Sequence, residues 1–139
     1  MDLLSKALRL DPPRRASAHL DLANRFLAEG RGLVDKDPVQ ASEKLYEAAE
    51  EAVKALAVAM GLEEAERAEE MGRWTATLLF TAVDKIAERR GREFKLWWKN
   101  AWFLRVEGFH EARLTAGRVR DEVEYVERIV EAATEEAKR

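Results

Sequence analysis

The stretch Asp37-Pro-Val-Gln-Ala-Ser-Glu-Lys-Leu45-Tyr-Glu-Ala-Ala49-Glu-Glu-Ala52-Val-Lys-Ala-Leu56-Ala-Val-Ala59-Met-Gly61 decides the fold. It opens on a carboxylate able to accept from the free amides of a first helical turn. A proline follows, and its fixed φ suits the first helical position. Leu45, Ala49, Ala52, Leu56 and Ala59 then recur at steps of three and four, which puts them on one stripe with glutamates opposite. The helix they predict runs to about Met60, before Gly61. So many alanines on the buried stripe let a neighbouring helix pack close.

The same period extends in both directions. Upstream, Pro12-Pro13 ends a short leading helical segment, and Asp11 can cap a helix that reaches Val34 through Leu20, Ala23, Leu27 and Gly30. Downstream, residues 62–71 are acidic and weakly amphipathic, either a charged extension or a loop. Gly72-Arg73-Trp74 introduces a third helix that stops near Gly91. A fourth spans about Arg92 to Phe109. A fifth, about Arg113 to Ala137, carries Val119, Val123, Val126, Val130 and Ala133 at alternating steps of four and three. No stretch alternates with the period of two that a strand needs, and short connections between long helices imply antiparallel neighbours. The expected architecture is all-α: an antiparallel bundle of four to five helices with a short N-terminal helical segment. No repeat and no linker rich in Gly, Ser or Pro divides it, so residues 1–139 read as one domain.

Composition narrows the function. With 47% hydrophobic and 37% charged residues, the chain reads as a charge-coated globular protein, outside the range for disorder. A net charge of -3 and a pI near 5.6 argue against nucleic-acid binding over the whole surface, while leaving room for a local basic pocket. Cysteine is absent, which excludes disulfides and thiolate metal sites and suits the cytoplasm. The first ten residues are too short and too charged for a signal peptide, and no apolar run approaches the roughly 20 residues of a membrane helix. Gln40, Asn24 and Asn100 are the only amides, a scarcity that points to a hot-living source. Glycine-rich phosphate loops, a Ser-His-Asp order and zinc spacing are all missing, and no cofactor is expected. The run Glu63, Glu64, Glu66, Glu69, Glu70 reads as a solvated helix face. Glu107-Gly-Phe-His110 has the Glu-x-x-His spacing of a bundle metal site, but His19 has no matching glutamate, so no metal is expected.

Site chemistry concentrates in the fourth helix, Phe94-Lys-Leu-Trp97-Trp98-Lys-Asn-Ala-Trp102-Phe103-Leu104-Arg105-Val106-Glu107-Gly108-Phe109-His110. Phe94, Trp97, Ala101, Leu104 and Gly108 form one stripe. Trp98, Trp102, Arg105 and Phe109 form a second, about 100° around the axis. Two apolar faces mean a fully interior helix or one that also packs a second subunit; tryptophan enrichment in interfaces favours a homodimer through Trp98, Trp102 and Phe109. Arg105 can clamp a phosphate and His110 can move a proton. Taken alone, the arginine can instead stack on Trp102 or Trp98, and the histidine can sit at a helix end. Five residues of α-helix subtend about 500°, leaving the two side chains some 140° apart. They converge only if the helix ends or bends between them, for which Gly108 is the permissive residue. Arg113, Arg118 and Arg120 follow closely and are candidates for RNA contacts.

Arg-x-x-x-x-His late in a small helical bundle resembles the HEPN superfamily (higher eukaryote and prokaryote nucleotide-binding domains). The fuller string from Asn100 to Glu111 resembles its archaeal PaREP family more closely. So do Gly72-Arg73-Trp74 and the Glu- and Ala-rich helix ending Val53-Lys54-Ala55-Leu56; the likeness runs from about residue 15 to 135. The resemblance implies a homodimer with motif helices face to face and, in many members, a metal-independent endoribonuclease of toxin or defence type. In that scheme Arg105 holds the scissile phosphate and His110 is the general base or acid. It also implies a nucleotidyltransferase-type antitoxin as a possible partner. Other members bind nucleotide, RNA or a partner protein without catalysis. The chain departs from the catalytic pattern at Val106, where a polar residue usually follows the arginine, and Glu107 and Glu111 add negative charge beside the motif.

Overall fold

The structure, a computed structural model, describes residues 11–139; the leading helical segment expected before Pro12 lies outside them. Helix α1 spans Pro12–Leu33, its first turn closed by the Asp11 carboxylate accepting from the Arg14 amide at 3.0 Å. Helix α2 spans Pro38–Ala59, and Asp37 accepts from the Gln40 amide at 3.1 Å. Both starts are those the carboxylate-proline signals predict.

Residues 63–71 are neither loop nor mere extension: Glu63–Met71 forms a short helix, α3. Ala65, Ala68 and Glu64 face inward, and Glu64 takes the ammonium of Lys85 at 2.9 Å. The glutamates of its first turn also complement the positive end of the helix dipole. Gly72, at φ +78°, closes α3 in the left-handed conformation that glycine adopts without penalty. Helix α4 (Ala76–Arg90) starts at Thr75, whose hydroxyl accepts from the Leu78 amide at 3.2 Å. Helix α5 covers Glu93–Phe103 and passes directly into a π-helix, Leu104–His110. Helix α6 covers Ala116–Ala137, capped by Thr115, three residues later than the sequence suggests. Among the described residues the chain is therefore all-α, with six α-helices and no strand, the helical bundle that the sequence predicts. None of these helices is long and apolar enough to cross a membrane.

Helix α2 forms the centre, packed chiefly by α1, α6, the π-helix and α4, and more lightly by α3 and α5. Its burial goes well beyond the expected stripe. Leu45, Ala49, Ala52 and Leu56 are buried, but so are Tyr46, Ala48, Val53 and Ala57, while Ala59 is exposed at the helix end. Small side chains make this wrapping possible. A Cβ on Gly30 of α1 would stand 2.7 Å from Leu45 Cγ, closer than real carbon contacts allow.

In α5 and the π-helix the buried face is Phe94, Trp98, Ala101, Leu104 and Gly108. Trp98, assigned from sequence to the outer stripe and a subunit interface, is a core residue at 5% exposure. Trp97 takes the outer place, half-buried beside Phe94 and under the Arg128 guanidinium. The two tryptophans differ by one residue, and periodicity alone cannot choose between two adjacent apolar stripes. Aromatic partners do so: Tyr46 and Phe80 lie with ring centroids 5.8 and 6.4 Å from Trp98.

Candidate functional site

Arg105 and His110 both lie in the π-helix. A π-helix bonds each carbonyl to the amide five residues on, as Val106 does with Glu111 at 2.9 Å. Residues five apart thus point closer in direction than the 140° apart of an α-helix. What alters their relation is this change of winding, not conformational freedom at Gly108. Gly108 has no positive φ; it is buried, and a Cβ there would come within 2.6 Å of Ser42 Cβ on α2. Its function is close approach. The Ser42 hydroxyl donates to the Pro38 carbonyl at 2.8 Å.

Arg105 is half-buried, its guanidinium 4.8 Å from the ring centroid of Tyr46 and 5.7 Å from that of Trp102. The stacking that the residue taken alone suggested therefore exists, with Trp102 and Tyr46 as the rings. It leaves the fork of N–H donors unspent, since Arg105 has no ion pair or hydrogen bond to a side chain among the described residues. Burial pushes the Tyr46 hydroxyl far above its ordinary range, helped by the Glu50 carboxylate it bonds and opposed by Arg105. It stays a neutral donor to Glu50. His110 is exposed beside the Phe109 ring, centroids 5.3 Å apart, and no hydrogen bond orients its imidazole among the described residues.

The basic residues after the motif divide. Arg113 pairs with Glu107, and its hydrogen bond holds that carboxyl below its usual range. Glu107 is thereby neutralised and Arg113 engaged. Arg120 is tied to Asp35 of the α1–α2 connection. Arg118 has no such bridge among the described residues and shares with Arg113 and Glu107 the wall of a cavity that includes Phe103, Leu114 and Thr115. Of the three candidates, Arg118 is the one without a bridging carboxylate among the described residues. Of the interface candidates, Trp102 and Phe109 are half-buried and Trp98 is enclosed.

Tyr46 and Glu50 escaped the sequence reading. Tyr46, Glu50 and Lys54 recur every four residues along α2, and a tyrosine on an alanine-lined helix is the signal that would have singled them out. His19 has a glutamate after all, supplied by another helix: its Nδ1 lies 2.8 Å from Glu51 Oε1. Burial raises the Glu51 pKa, but His19 and Lys54 outweigh it and hold the carboxyl below its usual range. Lys54, 3.0 Å from both Glu50 and Glu51, is raised by them against its own desolvation. This network staples α1 to α2. Among the described residues, no three His, Asp or Glu side chains converge as metal ligands do.

The model of the Archaeal PaREP1/PaREP8 family matches residues 18–130, from the first turns of α1 to late α6. The chain belongs to this family. A crystal structure of a Sulfolobus solfataricus protein is 37% identical, with a TM-score of 0.66 over 88% of this chain and 95% of that one. A solution structure titled Orf c02003 protein, from the same structural-genomics target, is 36% identical, with a TM-score of 0.63 over 88% and 90%. No curated protein matches the chain. The family match takes in the Tyr46–Trp102–Arg105 stack and the whole π-helix.

Proposed function

We propose that this PaREP-family chain is a metal-independent endoribonuclease of HEPN type, acting as a cytoplasmic homodimer in toxin or defence biology. The observation that carries the reading is Arg105: a guanidinium braced by two rings, with donors that no protein carboxylate occupies. Such a fork suits two oxygens of one phosphate. His110, one π turn away, takes the proton of a ribose 2′-hydroxyl as its oxygen attacks the adjacent phosphorus. The P–O5′ bond breaks, and the leaving 5′-oxygen receives a proton from an imidazolium, giving a 2′,3′-cyclic phosphate and a 5′-hydroxyl. A two-fold pairing through Trp102 and Phe109 places a second imidazole opposite the first, and a neighbouring nucleotidyltransferase is the antitoxin this reading implies. Light scattering at micromolar concentration is expected to give the dimer mass; a monomer mass removes the shared site.

The test is single-stranded RNA with a chelator present. Wild type is expected to cut it, and His110→Ala to lose about a hundredfold or more, the scale of a general acid-base group. Inert wild type on varied RNAs rejects the enzyme. A second reading, a non-catalytic RNA-, nucleotide- or partner-binding dimer, is favoured by His110 itself, whose ring no hydrogen bond orients among the described residues, and by the apolar Val106 after the arginine.

A further inference from the structure

A cleft of about 260 Å³ opens between α4 and α5, walled by Phe80, Val83, Trp98 and Trp102. It is far too apolar on its walls to be ordinary surface. Phe80 is 40% exposed, and its ring meets Trp102 edge-on with centroids 4.9 Å apart. The rim, by contrast, is charged: Lys95 and Lys99 stand one turn apart on α5, with Asp84 across from them. Asp84 pairs with Lys95 at 3.6 Å, whereas Lys99 is exposed and has no ion pair among the described residues. An aromatic surface with an uncompensated cation at its lip fits a flat ring joined to an anion.

Trp102 connects this cleft to the motif. It forms a wall of the cleft while the Arg105 guanidinium stands over its ring. A phosphate on Arg105 and a ring in the cleft would thus share one indole, Trp102. The volume suits one planar base and lies below the roughly 300–1,000 Å³ of sites that enclose drug-sized ligands.

We infer that the Phe80–Trp102 cleft is a base-binding subsite that takes one unpaired nucleotide of a single-stranded RNA, with Lys99 on its backbone. The inference rests on the reading of Arg105 as the phosphate ligand and names what that site selects. A base must leave its stack to enter, so duplex RNA is excluded. Stacking is tolerant of base identity because every base has a π face, so little sequence preference is expected.

The experiment is quenching of intrinsic tryptophan fluorescence in the full chain by a six-nucleotide oligoadenylate. An abasic strand of equal charge, the same sequence as a duplex, and AMP are titrated alongside. The oligoadenylate is expected to quench and to bind at least tenfold tighter than the abasic strand and the duplex. Phe80→Ala is expected to weaken binding about ten- to a hundredfold, the range of one lost base–aromatic stack. Phe80→Trp restores it, and Lys99→Glu weakens it further at low salt than at high salt. Equal binding of abasic and normal strands, or indifference to both substitutions, overturns the subsite. AMP binding as tightly as the hexamer overturns the strand and makes the cleft a mononucleotide site. No quenching, with a dimer mass that Phe80→Glu converts to monomer, assigns the cleft to a second copy of the chain instead. Binding without cleavage removes the ribonuclease and leaves the subsite; cleavage with an unchanged KM in Phe80→Ala does the reverse.

Discussion

Arg105→Ala is expected to leave the bundle folded and to lower RNA cleavage about a hundred- to a thousandfold, the cost of removing one preorganised donor to a developing oxyanion. The side chain stacks on Tyr46 and Trp102 without joining the buried apolar cluster. Losing the stack costs stability of only about 0.5–2 kcal/mol. Arg105→Lys separates the two contributions. A lysine keeps the charge but not the planar fork, so it should recover binding to RNA better than it recovers rate. Single-turnover cleavage of a labelled strand with chelator, beside a thermal melt of each variant, reads both quantities. Arg105→Ala that cuts as wild type does, or that melts out at the assay temperature while Arg105→Lys is fully active, confines the arginine to packing.

The orientation of that arginine shows what the sequence conveyed and where it stopped. Carboxylate-proline starts and glycine stops are local chemistry, so the starts of α1 and α2 were legible from Asp11 and Asp37. Residues 63–71 were not, because the inward face of α3 is only Glu64, Ala65 and Ala68, and the glutamate becomes tolerable there through a lysine 21 residues away. The motif residues could be found, but their relation could not. A π-helix differs from an α-helix in which carbonyl an amide chooses, and Leu104–His110 carries no residue type that announces the choice. The rotation of α5 was hidden for a similar reason. Trp97 and Trp98 are equally apolar, and only Tyr46 from α2 and Phe80 from α4 select Trp98 for the core. Those same two residues line the site from other helices, which is why a reading confined to the motif helix missed them.

Gly108→Ala is expected to lower the melting temperature by roughly 6–10 °C, through crowding rather than through any change in backbone freedom. The added methyl would stand 2.6 Å from Ser42 Cβ and 3.4 Å from Leu114 Cδ1. Ser42 Cβ is fixed to the backbone of α2, so no rotamer change relieves the overlap, and the π-helix must move away from the central helix. Overpacking of this kind costs about 3 kcal/mol, against a gain of about 1 kcal/mol for alanine over glycine inside a helix. Because the element displaced carries Arg105 and His110, cleavage should fall more than stability does. Ser42→Gly removes the obstructing carbon. In combination it should return most of the lost melting temperature and activity, although alone it costs about 0.5 kcal/mol of helix propensity. A double-mutant cycle by denaturant unfolding should therefore show a coupling of at least about 1 kcal/mol between positions 42 and 108. Additive effects would mean that the π-helix is not held by this contact, and Gly108→Ala melting with wild type would mean that the two elements do not approach so closely.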